Sequence, residues 1–257
     1  MTDPKPQEQQ DERAGAAQAA FLSRMTHEFR TPMNAILGFA HVLQEELQNA
    51  EHRDYVQEII QAGEQLLTMV DDLLDFANLE SGHAELSIRA VPIGPVVSEA
   101  LRSVEPLFRQ RHMEARVECE AGGAAAGSAP VCAACARGNE VLADADRLRQ
   151  ILTGLLSNAA KHGRSGGSVR LSCRAGGGRV RFSVADDGPG ISAERLERLF
   201  MPFEAADARS SQGGSAGIGL AVARRLAELM GGGVGVDTAP GRGSAFWLEL
   251  PQARSAA

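Results

Sequence analysis

The chain reads as an α+β protein in which an N-terminal helical hairpin precedes an α/β sandwich. Two long consecutive segments carry apolar residues three or four apart, and after Gly82 the pattern changes to short alternating runs mixed with helices. Glycine clusters at 176–178, 188–190 and 241–243 punctuate that second part as turns. Helices and strands of these periods each bury one face, so both halves need a partner layer.

In the first segment, residues 16–48, the stripe is Phe21, Met25, Phe29, Met33, Ile36, Ala40, Leu43 and Leu47. Asn49-Ala50-Glu51-His52 makes a short connection. Tyr55, Ile59, Ala62, Leu66, Met69, Leu73 and Phe76 then alternate spacings of four and three, a heptad-like seam ending near Ser81-Gly82. A hairpin with one such stripe buries it best against a copy of itself, which predicts a homodimer built around a four-helix bundle. The competing expectation is that the stripes are the core of a monomer.

The second part opens with a helix over residues 93–108, whose apolar face is Val96, Val97, Ala100, Leu101, Val104 and Leu107. A strand over 115–119 and an Ala/Gly/Ser-rich loop over 121–136 follow. Residues 144–161 form a helix with Leu148, Ile151, Leu152, Leu155 and Leu156 inward and Asp144 as N-cap. Val169, Leu171 and Cys173 alternate across the Ala175–Gly178 turn with Val180, Phe182 and Val184, a hairpin. A helix over 219–230 and a closing hairpin, 235–238 with 245–250, complete the sandwich.

Composition narrows the function. A chain of 257 residues suggests two ordinary domains at about 100 to 200 residues each. A net charge of −7 and a pI near 5.4 argue against a phosphate-backbone binder, so no nucleic-acid partner is expected. Residues 1–15 mix both charge signs with Gln and Pro and resemble neither a signal peptide nor an anchor. No apolar run approaches the roughly 20 residues of a spanning helix, so no membrane insertion is expected. The few cysteines suggest reduced thiols and a cytoplasmic location. Cys132 and Cys135 lack the second pair that a zinc site needs.

Several residues carry chemistry. An aspartate at a strand end followed by Gly-Pro-Gly, as at Asp186, can accept a hydrogen bond from an exocyclic amine while the glycines admit a base closely. Alone, that pattern is a turn after a strand before it is a site. Asn158 and Lys161 share a helix face: the amide oxygen suits Mg²⁺ and the ammonium a phosphate. His27 lies off the apolar stripe, while His41, His52 and His83 read as solvent-facing helical residues. A neutral imidazole can attack a γ-phosphoryl group near pH 7.

The order His27-Glu28-Phe29-Arg30-Thr31-Pro32, then Asn158, then Asp186-Asp187-Gly188-Pro189-Gly190 and the Gly213–Gly219 cluster resembles the core of a two-component sensor histidine kinase, over roughly Phe21 to Pro251. The resemblance implies ATP and Mg²⁺ as cofactors, autophosphorylation of His27, and transfer to an aspartate of a response regulator receiver domain. It makes Glu28 the carboxylate that orients the imidazole and takes its proton, and Thr31 the determinant of phosphatase activity. Asp186, Gly188, Gly190 and Ile191 then form the adenine-reading first glycine box, Phe200 and Phe203 the phenylalanine box, and Gly217, Gly219 and Leu220 the second glycine box, which opens a helix. Asn158 would bind the metal, with Lys161 and His162 beside it, and Arg209 would contact phosphate from a lid over 205–214. The implied organisation is a tail over 1–15, a dimerisation and histidine phosphotransfer domain over 16–82, a hinge over 83–90, a catalytic ATP-binding domain over 91–252 and a tail over 253–257. A separate sensor protein is a further expected partner.

The sequence departs from the family pattern at Gly154, where an asparagine one turn before the metal ligand is common, at His162, often aromatic, and at Ser215, where the second box opens with glycine. Weakened rather than abolished nucleotide binding is expected. Two other readings compete: an ATPase of the gyrase and chaperone type, which lacks the upstream His27 motif, and a catalytically weak dimeric scaffold, for which Gly154 argues.

Overall fold

The computed structural model describes residues 29–81, 84–119, 140–202 and 217–253. The chain divides into two compact units, one drawn from Met1–Ala84 with Pro202–Val222 and the other from Glu85–Met201 with Ala223–Ala257.

The first unit is the hairpin. Its first helix, α1, spans residues 29–46 as described and runs through Pro32; its second, α2, spans Ala50–Glu80. Asn49 caps α2, its side-chain oxygen accepting from the Glu51 N–H at 2.9 Å and the His52 N–H at 3.3 Å. The turn therefore closes earlier than the expected 49–52 connection, because the cap recruits Ala50, Glu51 and His52 into the first helical turn. Leu37 and Ala40 of α1 pack on Val56 and Ile60 of α2, with Leu47 and Leu67 alongside. Gly63 permits the approach: a Cβ there would meet Leu37 Cδ2 at 2.7 Å. Arg30 and Asp71 form an ion pair across the hairpin. His41 is exposed, its Nδ1 2.8 Å from the Leu37 carbonyl of its own helix.

The hairpin closes on only part of the seam read in the sequence: Ala40 and Leu47 join its core, beside Leu37, Val56 and Ile60, which that seam did not include. Of that seam, Phe29, Ile36 and Leu43 on α1 and Tyr55, Ile59 and Leu66 on α2 are exposed in the single chain, between 42% and 55%. Each helix thus carries two apolar faces, one closing the hairpin and one uncovered.

The second unit contains a five-stranded sheet, β2-β4-β5-β7-β6. In chain order the unit begins with β1 (Arg89–Pro92), α3 (Ile93–Gln110), β2 (Glu114–Cys119), β3 (Glu140–Ala143) and α4 (Ala145–His162). Then come β4 (Ser168–Gly176), β5 (Arg179–Asp186), the short α5 (Ala193–Leu196), α6 (Gly219–Leu229, which begins in the first unit), β6 (Gly233–Thr238) and β7 (Ser244–Pro251). β2 and β4 are parallel and the remaining neighbours antiparallel. Val169, Leu171, Val180, Phe182, Val184, Leu248 and Leu250 are almost fully buried on one face, where α4 packs against β4 and β5 and α3 lies beside α4. The expected loop over 121–136 lies outside the described residues.

Two strands were not anticipated. β1 and β3 pair antiparallel as a separate two-stranded sheet, Arg89 opposite Ala143 and Ala90 opposite Leu142, so the last residues of the expected 83–90 hinge are strand-paired. β3 is held in turn by the end of the described chain: Val141 bridges Gln252, and the Ala253 N–H donates to the Glu140 carbonyl at 2.8 Å.

Candidate functional site

The site is built where β5 ends beside the C-terminus of α4. Val180, Phe182 and Val184 anchor β5 in the core, which leaves Asp186 at the strand's last position, half-buried. Its Oδ1 accepts from the Gly188 N–H at 2.8 Å. Desolvation holds the Asp186 carboxyl above the ordinary aspartate range and the Asp187 charge adds to this, against the Gly188 and Ser244 N–H groups, which pull it down. The result is a carboxylate short of water, with lone pairs beyond those its backbone donors use.

Gly188 joins that carboxylate to α4. A Cβ at 188 would stand 2.7 Å from Asp186 Oδ1 and 2.7 Å from the His162 carbonyl oxygen, so only glycine fits between them. α4 is fixed from both ends. Asp144 accepts at Oδ1 from the Asp146 N–H at 3.0 Å and the Arg147 N–H at 3.1 Å. At the other end Gly163 caps the helix, its N–H donating to the Ala159 carbonyl at 2.8 Å. Leu148, Leu152, Leu155 and Leu156 are fully buried, which turns Asn158 and Lys161 to the partly open side. Gly154, one turn before Asn158, is exposed and has nothing within 4 Å of the position its Cβ would take.

His162 follows Lys161 at the helix end. Although the residue is exposed, desolvation lowers its pKa below the usual histidine value, and the charges of Lys161, Arg195 and Arg111 act in the same direction. The shift disfavours the imidazolium form, and the backbone carbonyl of His162 lies against Gly188.

The glycine loop after Asp186 rests on the β6–β7 turn. Thr238 Oγ1 accepts from the Ile191 N–H at 3.0 Å, donates to the Gly243 carbonyl at 2.9 Å and lies 3.0 Å from Ser244 Oγ. The Gly241 N–H donates to the Pro189 carbonyl at 2.7 Å. Gly190, at φ 72°, and Gly243, at φ 76°, need their lack of a side chain twice over: a Cβ would strike Ala239 O or Asp186 O at 2.0 Å. Thr238, Gly243 and Ser244 were not among the residues picked from sequence, because a hydroxyl in a closing turn signals nothing until the two loops are seen together. Asp187 is fastened differently, its Oδ2 accepting from the Ser168 N–H at 3.0 Å.

The second unit therefore brings together Asn158, Lys161, His162, Asp186, Gly188, Gly190 and Ile191, and it also contains Phe200, half-buried after α5. Gly217, at φ 68°, and Gly219 and Leu220, at the start of α6, belong to the first unit, as does Thr31, exposed on α1. His27, Glu28, Phe203 and Arg209 lie outside the described residues. The assembled residues fit a purine nucleotide: a desolvated acceptor at Asp186, glycine backbone open beside it, and an amide and an ammonium on the adjoining helix. No cluster of three or more His, Cys, Asp or Glu among the described residues is placed to hold a metal ion, so a divalent cation there would lean on Asn158, phosphate oxygens and water.

Comparison with known proteins bears on the same residues. A family model described as histidine kinase-, DNA gyrase B-, and HSP90-like ATPase matches residues 143–254, and one described as His Kinase A (phospho-acceptor) domain matches residues 17–82. The chain is 34% identical over 250 residues to the sensor protein GacS of Pseudomonas syringae, which covers 94% of this chain and 26% of GacS. It is 33% identical over 246 residues to the sensor protein TorS of Escherichia coli, covering 93% of this chain and 24% of TorS. The chain thus spans about a quarter of the length of these curated relatives. Among solved structures, full-length ShkA in complex with AMPPNP superposes with a TM-score of 0.70 at 37% identity, covering 93% of this chain and 47% of that one. The histidine kinase AdeS of Acinetobacter baumannii shares the fold, with a TM-score of 0.59 at 20% identity over 89% of this chain and 98% of that one. No helix among the described residues is long and apolar enough to cross a membrane.

Proposed function

Because the chain carries the two domains of a two-component sensor histidine kinase core, a phospho-acceptor domain and a histidine kinase-type ATPase domain, we propose that it autophosphorylates His27 from ATP and passes the phosphoryl group to an aspartate on the receiver domain of a response regulator. The observation that carries this reading is the meeting of Asp186, Gly188 and the end of α4, which sets a base-reading carboxylate next to the helix of Asn158 and Lys161.

In this mechanism Asp186 accepts from the adenine amine and the glycine loop lets the base approach. Lys161 meets phosphate as a point charge. Asn158 would hold Mg²⁺, which when bound offsets charge on the phosphates. An imidazole nitrogen of His27 attacks the γ-phosphorus, so that a P–N bond forms as the bond to the β-phosphate oxygen breaks and ADP leaves. Glu28 takes the imidazole proton. The aspartate carboxylate of the receiver then attacks the same phosphorus and regenerates His27. Thr31, one turn after His27, positions a water when the protein acts instead as a phosphatase toward its partner.

The protein works as a homodimer in the cytoplasm, its uncovered seam of Phe29, Ile36, Leu43, Tyr55 and Ile59 meeting a second copy. A separate sensor protein supplies the stimulus. Incubation of the wild type and His27→Ala with γ-labelled ATP and Mg²⁺ tests the reading: acid-labile, base-stable label should appear on the wild type and be absent from the variant. ATP bound without phosphohistidine would point to a scaffold, and steady phosphate release without it to an ATPase.

A further inference from the structure

The carboxylate of Asp144 divides its oxygens between two tasks. Oδ1 caps α4 through the Asp146 and Arg147 N–H groups, and Oδ2 accepts from the Ser87 N–H at 3.0 Å. Ser87 stands only three residues into the second unit, which begins at Glu85, and 57 residues before Asp144. The next backbone tie along the chain is the pairing of Arg89 with Ala143, the residue just before Asp144. The path by which the chain enters this unit is thus pinned to the N-terminus of the helix that presents Asn158 and Lys161.

We propose that Asp144 is a positioning residue for phosphoryl transfer: its second oxygen fixes where the connecting chain joins the nucleotide-binding unit, and so sets how often that unit's ATP meets the acceptor histidine. The proposal rests on the kinase reading above.

A capping serine, asparagine or aspartate needs one acceptor oxygen. Asp144 spends a second one on the connecting chain, and both oxygens receive N–H donors. Desolvation opposes ionisation of the group, but the N–H donors of Arg147, Ser87 and Asp146 and the Arg147 charge together hold its pKa below the ordinary aspartate value, so it stays an acceptor on both sides at neutral pH. With the Ser87 tie lost, the first fixed point moves from residue 87 to residue 89. The connection from the α2 cap at Ser81 then lengthens from residues 82–86 to residues 82–88. Freeing the exit direction of the chain at residue 87 removes a constraint on how this unit is presented, and productive encounters with the acceptor histidine become rarer. Binding of ATP itself involves none of these atoms.

Asp144→Asn separates the two tasks. Its single oxygen is claimed by the cap, and the amide nitrogen then faces the Ser87 N–H donor to donor. Asp144→Ser keeps a cap and cannot reach Ser87 as well, so it serves as an independent second variant. In the full chain, both should speed hydrogen exchange at the Ser87 amide at least tenfold. Both should lower the autophosphorylation rate at saturating ATP at least twofold while leaving the KM for ATP within twofold. A KM that rises with the saturated rate unchanged would mean that Asp144 acts only through α4 and would overturn the proposal. So would an unchanged rate in both variants. Wild-type protein that takes no label sinks the kinase reading and the rate effect with it, whereas labelled wild type beside unaltered variants sinks the proposal alone.

Discussion

In the proposed mechanism Asp186 reads the base with one carboxylate that the backbone holds in place. The Gly188 N–H occupies Oδ1, so in Asp186→Asn that contact selects the amide oxygen and leaves the nitrogen, a donor, toward an incoming amine. ATP affinity should fall at least tenfold, about 1.4 kcal/mol, measured by titration calorimetry. Stability should move the other way. The folded pKa of Asp186 is raised, so its favourable contribution is fully present below the unfolded pKa and is lost as pH rises through the folded one. At neutral pH the charge is a burden, and the variant should unfold at a higher denaturant concentration than the wild type, a difference that vanishes in acid. The motif made Asp186, Gly188 and Gly190 legible in the sequence. Thr238, Gly243 and Ser244 were not, because Thr238, held within its own turn by Gly243 and Ser244, bonds Ile191, 47 residues away, and no local pattern encodes a contact of that span.

At the level of the element, α4 is capped at both ends and carries one weak place. Asp144 capping and the buried leucine stripe were both readable from spacing, since cap and periodicity are local. Gly154 is exposed with open space around it. Gly154→Ala should therefore stabilise the protein by about 1 kcal/mol from helix propensity alone. That corresponds to a rise in Tm of roughly 2 to 4 °C in a chain of this size, which can be followed by the fluorescence of Trp247, the one tryptophan. An unchanged or lower Tm would show that the glycine serves packing after all. β1 and β3 escaped the sequence reading for the opposite reason. Each is four residues long, shows no useful alternation, and finds its partner only across about 50 residues of intervening chain.

For the molecule as a whole, the two apolar faces of the hairpin make different demands. The Leu37, Ala40, Val56 and Ile60 face is satisfied within one chain; the Ile36 face is not. Ile36→Glu should leave helix content unchanged and convert a dimer to a monomer in sedimentation velocity; a variant that still sediments as the wild type would refute the second face as a dimer seam. The periodicity in the sequence picked out this outer seam together with Ala40 and Leu47 of the inner one, and missed Leu37, Val56 and Ile60, because a seven-residue repeat is the signature of helices winding around a partner. The sheet order carries a different lesson. β7 is the last strand among the described residues and yet lies inside the sheet, between β5 and β6, and its end also fastens β3. While the polypeptide is being synthesised, every earlier strand must wait, with β5 offering a bare edge, until Ser244–Pro251 clears the ribosome. A ribosome that stalls, or a stop codon that falls, anywhere before Ser244 thus yields a chain with an exposed sheet edge and no nucleotide site, a substrate for chaperones and proteases rather than a partly active enzyme.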